Sequence, residues 1–340
     1  MYRHALIALA ILAPSPALAQ VCKDCSLTLT GDEAPKVQLW TQPAAVSWVG
    51  SSDDKNDRLT LDLAARLQQD LAPSVPDLPI FGESVGWFVS GLAHVNDQSK
   101  KEQESYKVGI GLSFDRDFVA PDASESEYAD ALFLQTDFSV AWASKVTFPD
   151  LASTACVADP ALATCREQTQ QSVRVAADFA FYQRILSIST TRDDDRDGKF
   201  DPGYLAAAIS PPLVQIFHDE VIEAVLNTAG VRETGGATGI KLVVGGAVSP
   251  SWFHNRLTLK ASYQVMYAPW VSTARQESFK ETTDLAKISL DFEFGARSWD
   301  KGAGWQPSVG VAYSVGEDPL DGRRDTEETT VGLRLTYKGS

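Results

Sequence analysis

The run Asp193-Asp194-Asp195-Arg196-Asp197-Gly198-Lys199-Phe200-Asp201 sets carboxylates at alternate positions ahead of a glycine. Calcium takes about six to eight oxygen ligands, and alternate Asp side chains around a tight, glycine-assisted turn can converge on one ion. A solvated acidic loop on an acidic chain uses the same residue types. Both readings stand at the level of sequence.

The segment resembles EF-hand-like calcium loops. The resemblance implies carboxylate ligands from Asp193, Asp195 and Asp197, a turn at Gly198 and a backbone carbonyl from Lys199. Asp201 would add a direct or water-mediated contact. The sequence departs from the pattern at Tyr204, which stands where a bidentate Glu would close the site. A bound Ca2+ would brace the loop rather than catalyse.

Other reactive residues are sparse. Cysteine occurs at Cys22, Cys25, Cys156 and Cys165. An even count in an exported chain reads as disulfides, Cys22 with Cys25 and Cys156 with Cys165. A redox reading of the CxxC would need a βαβ unit after it, and none follows. Beyond residue 20 the histidines are His94, His218 and His254, and neither HExxH nor GxSxG occurs. His218 precedes Asp219 and Glu220, but neighbours on a helix point different ways, so a surface histidine is the simpler reading. Outer-membrane lipid hydrolases use a Ser/His pair. Here no nucleophilic serine is picked out near His94 or His254. A catalytic set scattered over strands leaves no local motif, and the sequence singles out no catalytic residue.

The elements that would position such residues begin with a leader. Arg3 precedes an uncharged run from Ala5 to Ala13, and Ala17-Leu18-Ala19 closes it with a small-x-small pattern. This is a secretory signal peptide over residues 1–19. The apolar run is far short of the roughly 20 residues a spanning helix needs. Removing residues 1–20 takes away one base, Arg3, and moves the net charge from −15 to −16. That excludes a nucleic-acid partner, since phosphate binding needs clustered Lys and Arg. Small solutes or cations remain open.

From residue 82 onward apolar residues return with period two. Val108, Ile110, Leu112 and Phe114 alternate with Gly109, Gly111, Ser113 and Asp115. Ile288, Leu290, Phe292 and Phe294 alternate with Ser289, Asp291 and Glu293. Such alternation marks strands with one greasy and one small or polar face. Nine strands are expected near 82–95, 106–117, 131–147, 172–187, 240–249, 257–268, 284–295, 307–315 and 329–338. Many exceed the ~5–6 residues of an ordinary soluble strand and suit the ~9–11 of a tilted transmembrane one. Trp252, Trp270, Trp299, Trp305, Tyr267 and Tyr337 gather at strand ends, as an aromatic girdle requires. Lys260, Asp291, Glu293 and Arg334 fall mid-strand on the polar face.

The end of the chain, Thr330-Val331-Gly332-Leu333-Arg334-Leu335-Thr336-Tyr337, resembles the last strand of Gram-negative outer-membrane barrels, and departs from it by continuing to Lys338-Gly339-Ser340. The resemblance extends over the strand pattern from residue 82 on. It implies an all-β fold, an antiparallel transmembrane β-barrel located in the cell outer membrane, with membrane lipid as its surroundings. Bacterial barrels have even strand numbers, so at least one strand precedes residue 82. Val37–Trp48 and Leu59–Leu63 are candidates, though Leu59, Leu63, Leu67 and Leu71 also form a helical stripe. Ten strands are expected, twelve being the next choice. Residues 20–81 form an N-terminal segment with the first strand or strands, 82–340 the main barrel, and 188–239 a long outer-loop insertion. Within it Pro211 to Asn227 reads as a helix, from the stripe Leu213, Ile216, Phe217, Val221, Ala224 and Val225. With both termini periplasmic, the long 148–171 connection falls on the side that should carry short turns.

These features favour a narrow, porin-like channel or transport barrel. The alternatives are a structural or surface-interaction barrel with a calcium-binding outer loop, an outer-membrane hydrolase, and a soluble exported β-sandwich.

Overall fold

A computed structural model of the chain describes fourteen strands, together with residues 157–158, 165, 167, 224, 232, 234, 256, 272–276, 279–281, 294 and 320. The strands are β1 (Cys25–Thr30), β2 (Ala44–Gly50), β3 (Arg58–Leu71), β4 (Ser84–Gln98), β5 (Gln103–Asp117), β6 (Leu132–Thr147), β7 (Gln168–Gln183), β8 (Ser187–Ser189), β9 (Leu205–Glu223), β10 (Gly235–Pro250), β11 (Leu257–Val271), β12 (Thr282–Glu293), β13 (Gly304–Asp318) and β14 (Arg323–Gly339). All nine strands expected after residue 82 are present.

The sheet closes on itself through antiparallel pairs. β3 leads round through β4, β5, β6, β7, β9 and β10 to β14. The seam between β14 and β3 is filled by β1 and β2 laid end to end. Thr30 pairs with Ala64 and Ala45 with Asp62 on β3. Leu29 pairs with Tyr337 and Ala44 with Leu335 on β14. Register runs on across the break as though residues 31–43 were not there, so β1 and β2 occupy one position. The short β8 pairs only with β9. The result is a twelve-position barrel with one accessory strand.

Ten strands is therefore corrected to twelve, and the helix after Pro211 is corrected to a strand. β9 covers 205–223 without a helical turn. Its misreading has a physical cause. Leu213, Phe217 and Val221 are four apart, and a spacing of four shares one face in a strand as well as in a helix. Leu59, Leu63, Leu67 and Leu71 pose the same ambiguity, and they too lie on a strand, β3. Pro211-Pro212 mimics a helix start. In the barrel they sit at a register shift where residues 211 and 212 face Val244 alone, and a bulge tolerates proline.

Recovering β9 also reverses the parity of the strands before it. β1 begins and β14 ends at one rim, where Leu27 pairs with Gly339. The 148–167 connection now lies at the opposite rim, so the conflict over its length disappears. The 184–204 connection joins β7 and β9 at the rim that carries the termini, not at the opposite one. The two ends are called below the terminal rim and the far rim.

The two faces are inverted relative to a soluble protein. Val108, Ile110, Leu112, Val140, Trp142, Val175, Ile240, Leu290, Val311 and Leu333 are exposed on the outer face, Ile110 at 63% and Leu333 at 66%. Asp137, Arg174, Asp219, Asp291 and Arg334 face inward and are buried. A belt of this size in water would be an aggregation surface. In a bilayer it is the solvated face, and closure leaves only the short β8 with an unpaired side among the described strands. Trp270 and Tyr267 stand on the outer face near the far rim, half exposed, and Trp305 pairs in register with Tyr337 near the terminal rim. No described helix is long and apolar enough to cross a membrane. The described cysteines, Cys25 and Cys165, are disulfide-bonded. Cys22, Cys156 and the leader at 1–19 lie outside the described residues.

Candidate functional site

The lumen is the concave surface on which this chain can do chemistry. Its wall divides into an arc of charge networks, called below the wet arc, and an arc that carries apolar clusters among its polar groups, called the dry arc.

On the wet arc, charged side chains lie flat against the wall. Arg334 on β14 reaches over Gly310 of β13 to Asp291 on β12, and both charges are about 3% exposed. A Cβ at Gly310 would collide with Asp291 Oδ1 and the Arg334 guanidinium. Ser289 Oγ donates to Asp291 Oδ2 at 3.3 Å. Further round the wall, Arg66 on β3 reaches across β4 and β5 to Asp137 on β6. Its Nη1 lies 2.7 Å from Asp137 Oδ2, an ion contact whose angle is not that of a hydrogen bond. The guanidinium lies 3.6 Å from the Phe88 ring centroid, while Phe88 lies over Gly111, where a Cβ would meet its ring. Gln68 accepts from Arg66 at 2.9 Å, and Gln135 donates to Asp137 at 3.0 Å and to Ser113 at 2.8 Å. A buried charge is tolerated only when paired and hydrogen-bonded, and these networks meet that condition along the wall.

The dry arc runs along β7, β9, β10 and β11. Ala180, Leu213 and Val243 form one buried cluster. Ala176, Phe217, Ala237, Met266 and Ala268 form another with Phe279, which comes from the β11–β12 connection. That connection enters the far mouth as a short 3-10 turn at Thr273–Arg275. Arg275 anchors it. Its Nη2 donates to Asp219 Oδ2 at 3.1 Å, and its Nη1 donates to the Asp219 carbonyl at 2.9 Å. Arg174 on β7 approaches the other Asp219 oxygen at 3.3 Å and donates to the Leu320 carbonyl at 2.7 Å. Burial holds the Arg275 guanidinium below its ordinary pKa, and Asp219 beside it offsets only part of that.

The neighbouring turn is pinned too. Gly316 adopts φ 122°, open to glycine alone at low cost, and the register shifts between Gly316 and Asp318. Asp318 then accepts from Lys241 at 3.0 Å, Gln264 at 2.7 Å and the Leu320 N–H at 3.1 Å. Lys280 pairs with Glu317. Part of the far mouth is thus capped from within.

Of the residues singled out in the sequence, Lys260, Asp291, Glu293 and Arg334 all fall on the lumen face, as expected. Asp193, Asp195, Asp197, Lys199 and Asp201 lie outside the described residues, as does His254, so the calcium expectation keeps its sequence basis alone. Among the described residues no group of three His, Cys, Asp or Glu could hold a metal. His218 faces outward beside Trp270, with ring centroids 5.9 Å apart, while its neighbour Asp219 faces the lumen. Strand alternation separates the two residues that looked adjacent.

One cluster was missed from sequence. His94 on β4 pairs in register with Asp62 on β3 and with Ser105 on β5. His94 Nδ1 is 2.5 Å from Asp62 Oδ1. The Ser105 hydroxyl is buried and has no hydrogen-bond partner. Nothing in the spacing 62, 94, 105 marks it. Only the register brings it together.

No family model matches the sequence, and no curated protein does. Among solved structures, the transport unit of the autotransporter AIDA-I from Escherichia coli aligns at 12% identity over 94% of this chain and 90% of that one, with a TM-score of 0.41. The translocator domain of autotransporter NalP from Neisseria meningitidis aligns at 9% over 98% and 95%, with a TM-score of 0.35. The outer membrane phospholipase dimer of Salmonella typhi, with bound calcium, aligns at 13% over 90% and 94%, with a TM-score of 0.34. What places the chain is its own geometry: a closed twelve-position antiparallel barrel, apolar outside and charged within, which is the design of outer-membrane barrels. The chain is an outer-membrane β-barrel, associated with membrane lipid through its outer face.

Proposed function

We propose that this barrel is a narrow channel or transport barrel for small solutes. The observation that carries the reading is the flat lie of the wet-arc charges. Gly310 makes room for the Arg334–Asp291 pair, and Gly111 makes room for Phe88 under Arg66. Long side chains folded against thin wall take up less of the lumen than the same side chains projecting inward would. Width supports a narrow path. About eight strands give a filled interior and about sixteen an aqueous one, and twelve with one dry arc falls between. Both signs of charge line the wet arc in pairs, which suits small polar solutes more than highly charged ones.

The test is conductance of the purified barrel in a planar bilayer. Discrete steps support the reading, and a folded barrel without steps opposes it. From the sequence alone we also propose that Asp193, Asp195, Asp197, Lys199 and Asp201 hold a structural Ca2+. Calcium-dependent protection of the 184–204 connection from protease, lost in Asp195→Asn, would support that proposal, and protection unchanged by calcium would sink it. Disulfides Cys22–Cys25 and Cys156–Cys165 are proposed in the same sense. They call for intact pairs on non-reducing peptide mapping.

A further inference from the structure

The row Asp62, His94, Ser105 is not used by the channel reading and does not depend on it. We infer that these three residues form a nucleophilic hydrolytic site for small, water-soluble carboxylic esters, set in the lumen wall below the far rim.

The placement comes from the ladder. Directly opposed residues on neighbouring antiparallel strands have Cβ atoms about 4.5–5.5 Å apart on one face. Asp62 opposes His94, and His94 opposes Ser105. Carboxylate, imidazole and hydroxyl therefore stand in line across three strands, with the imidazole in the middle. All three share the lumen face with Arg66, Ser90 and Lys107, by the alternation of β3, β4 and β5. The row lies four residues from the far end of β3 and of β4, and two from that of β5. This is solvent's side of the barrel, so the substrate arrives through water and not from the bilayer.

Two observations separate this row from an ordinary ion pair. The first is its direction. Asp62 engages Nδ1 of His94, which fixes the proton there and leaves Nε2 as the basic nitrogen, the division of labour a serine nucleophile requires. Nε2 makes no hydrogen bond to a described residue. The second is Ser105. On the lumen wall Ser289 donates to Asp291, Ser172 to Asp219, and Ser113 accepts from Gln135; Thr283 Oγ1 and Ser272 Oγ are unpartnered as Ser105 Oγ is, but of the three only Ser105 is opposed in register by a histidine. The Ser105 hydroxyl is buried and unpartnered beside an imidazole whose free nitrogen can accept from it. Catalytic hydrogen bonds are commonly loose before substrate arrives, so an open Ser105–His94 contact is compatible with the role. His94 keeps about a fifth of its side-chain surface open, which gives an ester a way in. Lys145 opposes Ser105 from β6, so a cation stands on the other side of the nucleophile from His94, where a developing oxyanion gains from it.

The reaction balances without a cofactor. Ser105 Oγ attacks the ester carbonyl carbon as its proton passes to His94 Nε2, giving a tetrahedral oxyanion. The oxyanion collapses, the C–O bond to the alcohol breaks, and the alcohol leaves with the proton from His94. Water then attacks the acyl-serine, giving its proton to Nε2. The acid departs and the proton returns to Ser105. Asp62 keeps the imidazole in register throughout as a positioning residue.

The experiment uses the purified full-length barrel, with its heat-modifiable gel band as the check on folding. p-Nitrophenyl butyrate reads turnover. A fluorophosphonate probe followed by peptide mapping reads the nucleophile without any mutation. Expected are turnover above buffer and label on Ser105, with both abolished in Ser105→Ala. His94→Gln should lower kcat/KM by roughly a hundredfold or more, and Asp62→Asn should lower kcat while leaving KM nearly unchanged. A folded wild-type barrel without turnover or label overturns the inference. So does label on another serine, or turnover that survives Ser105→Ala.

Discussion

Arg334 and Asp291 are not on neighbouring strands: they pair across β13, through the space that Gly310 leaves by having no side chain. Both groups are about 3% exposed, so neither can turn to water if the other is lost. Arg334→Ala or Asp291→Ala should each destabilise the barrel by about 3–5 kcal/mol, and the double variant by clearly less than the sum. Urea unfolding in lipid vesicles gives the cycle. Additive losses would mean that the pair is not coupled.

Gly310→Ala should break the same pair from the backbone side. The added Cβ meets Asp291 Oδ1 and the guanidinium at once, and the wall cannot retreat without parting two ladders. The expected loss approaches that of either charge deletion. Gly245→Ala, at a partly exposed lumen position on β10, serves as the comparison and should cost less.

The cap hangs on Asp219. It holds Arg174 and Arg275 together, and Arg275 carries Phe279 into the buried cluster. Asp219→Asn keeps the shape and removes the charge, leaving two guanidinium groups buried without their counter-ion. The 272–281 connection should then loosen, read as faster proteolysis there and larger conductance. An unchanged protease pattern would show that the apolar contacts of Phe279 suffice to hold it.

The outer face makes a prediction of its own. Ile110 is 63% exposed near the middle of β5. Ile110→Arg should cost about 2–4 kcal/mol, the depth-dependent penalty of a base on the lipid face of a barrel. Ser314→Lys, on the lumen face of β13, should cost less. Equal costs would be at odds with the assignment of faces.

Strand alternation made most of this architecture legible. Wherever apolar residues stood two apart, as in Val108 to Phe114, the strand was read correctly. It failed where they stood four apart. Leu213, Phe217 and Val221 suit helix and strand equally, and one missed strand changed the count and inverted the parity of every connection before it. The split of one barrel position into β1 and β2 was also hidden: the candidate Val37–Trp48 overlaps β2, but the six residues of β1 are too few to announce themselves. The lumen chemistry was less legible than the fold. That charges at Asp291 and Arg334 face inward follows from parity, but their pairing depends on shear. The nearness of His94 to Asp62 and Ser105 depends on register between strands, which alternation within one strand does not specify. His218 and Asp219 show the converse: adjacent in sequence, they end on opposite faces of the wall.

The most direct test of the account is single-channel conductance of the refolded barrel, with heat-modifiable gel mobility confirming that the sample is folded. The account predicts small, discrete steps in the wild type and larger ones in Asp219→Asn as the cap loosens. A folded, heat-modifiable barrel that conducts in neither form would contradict the channel reading.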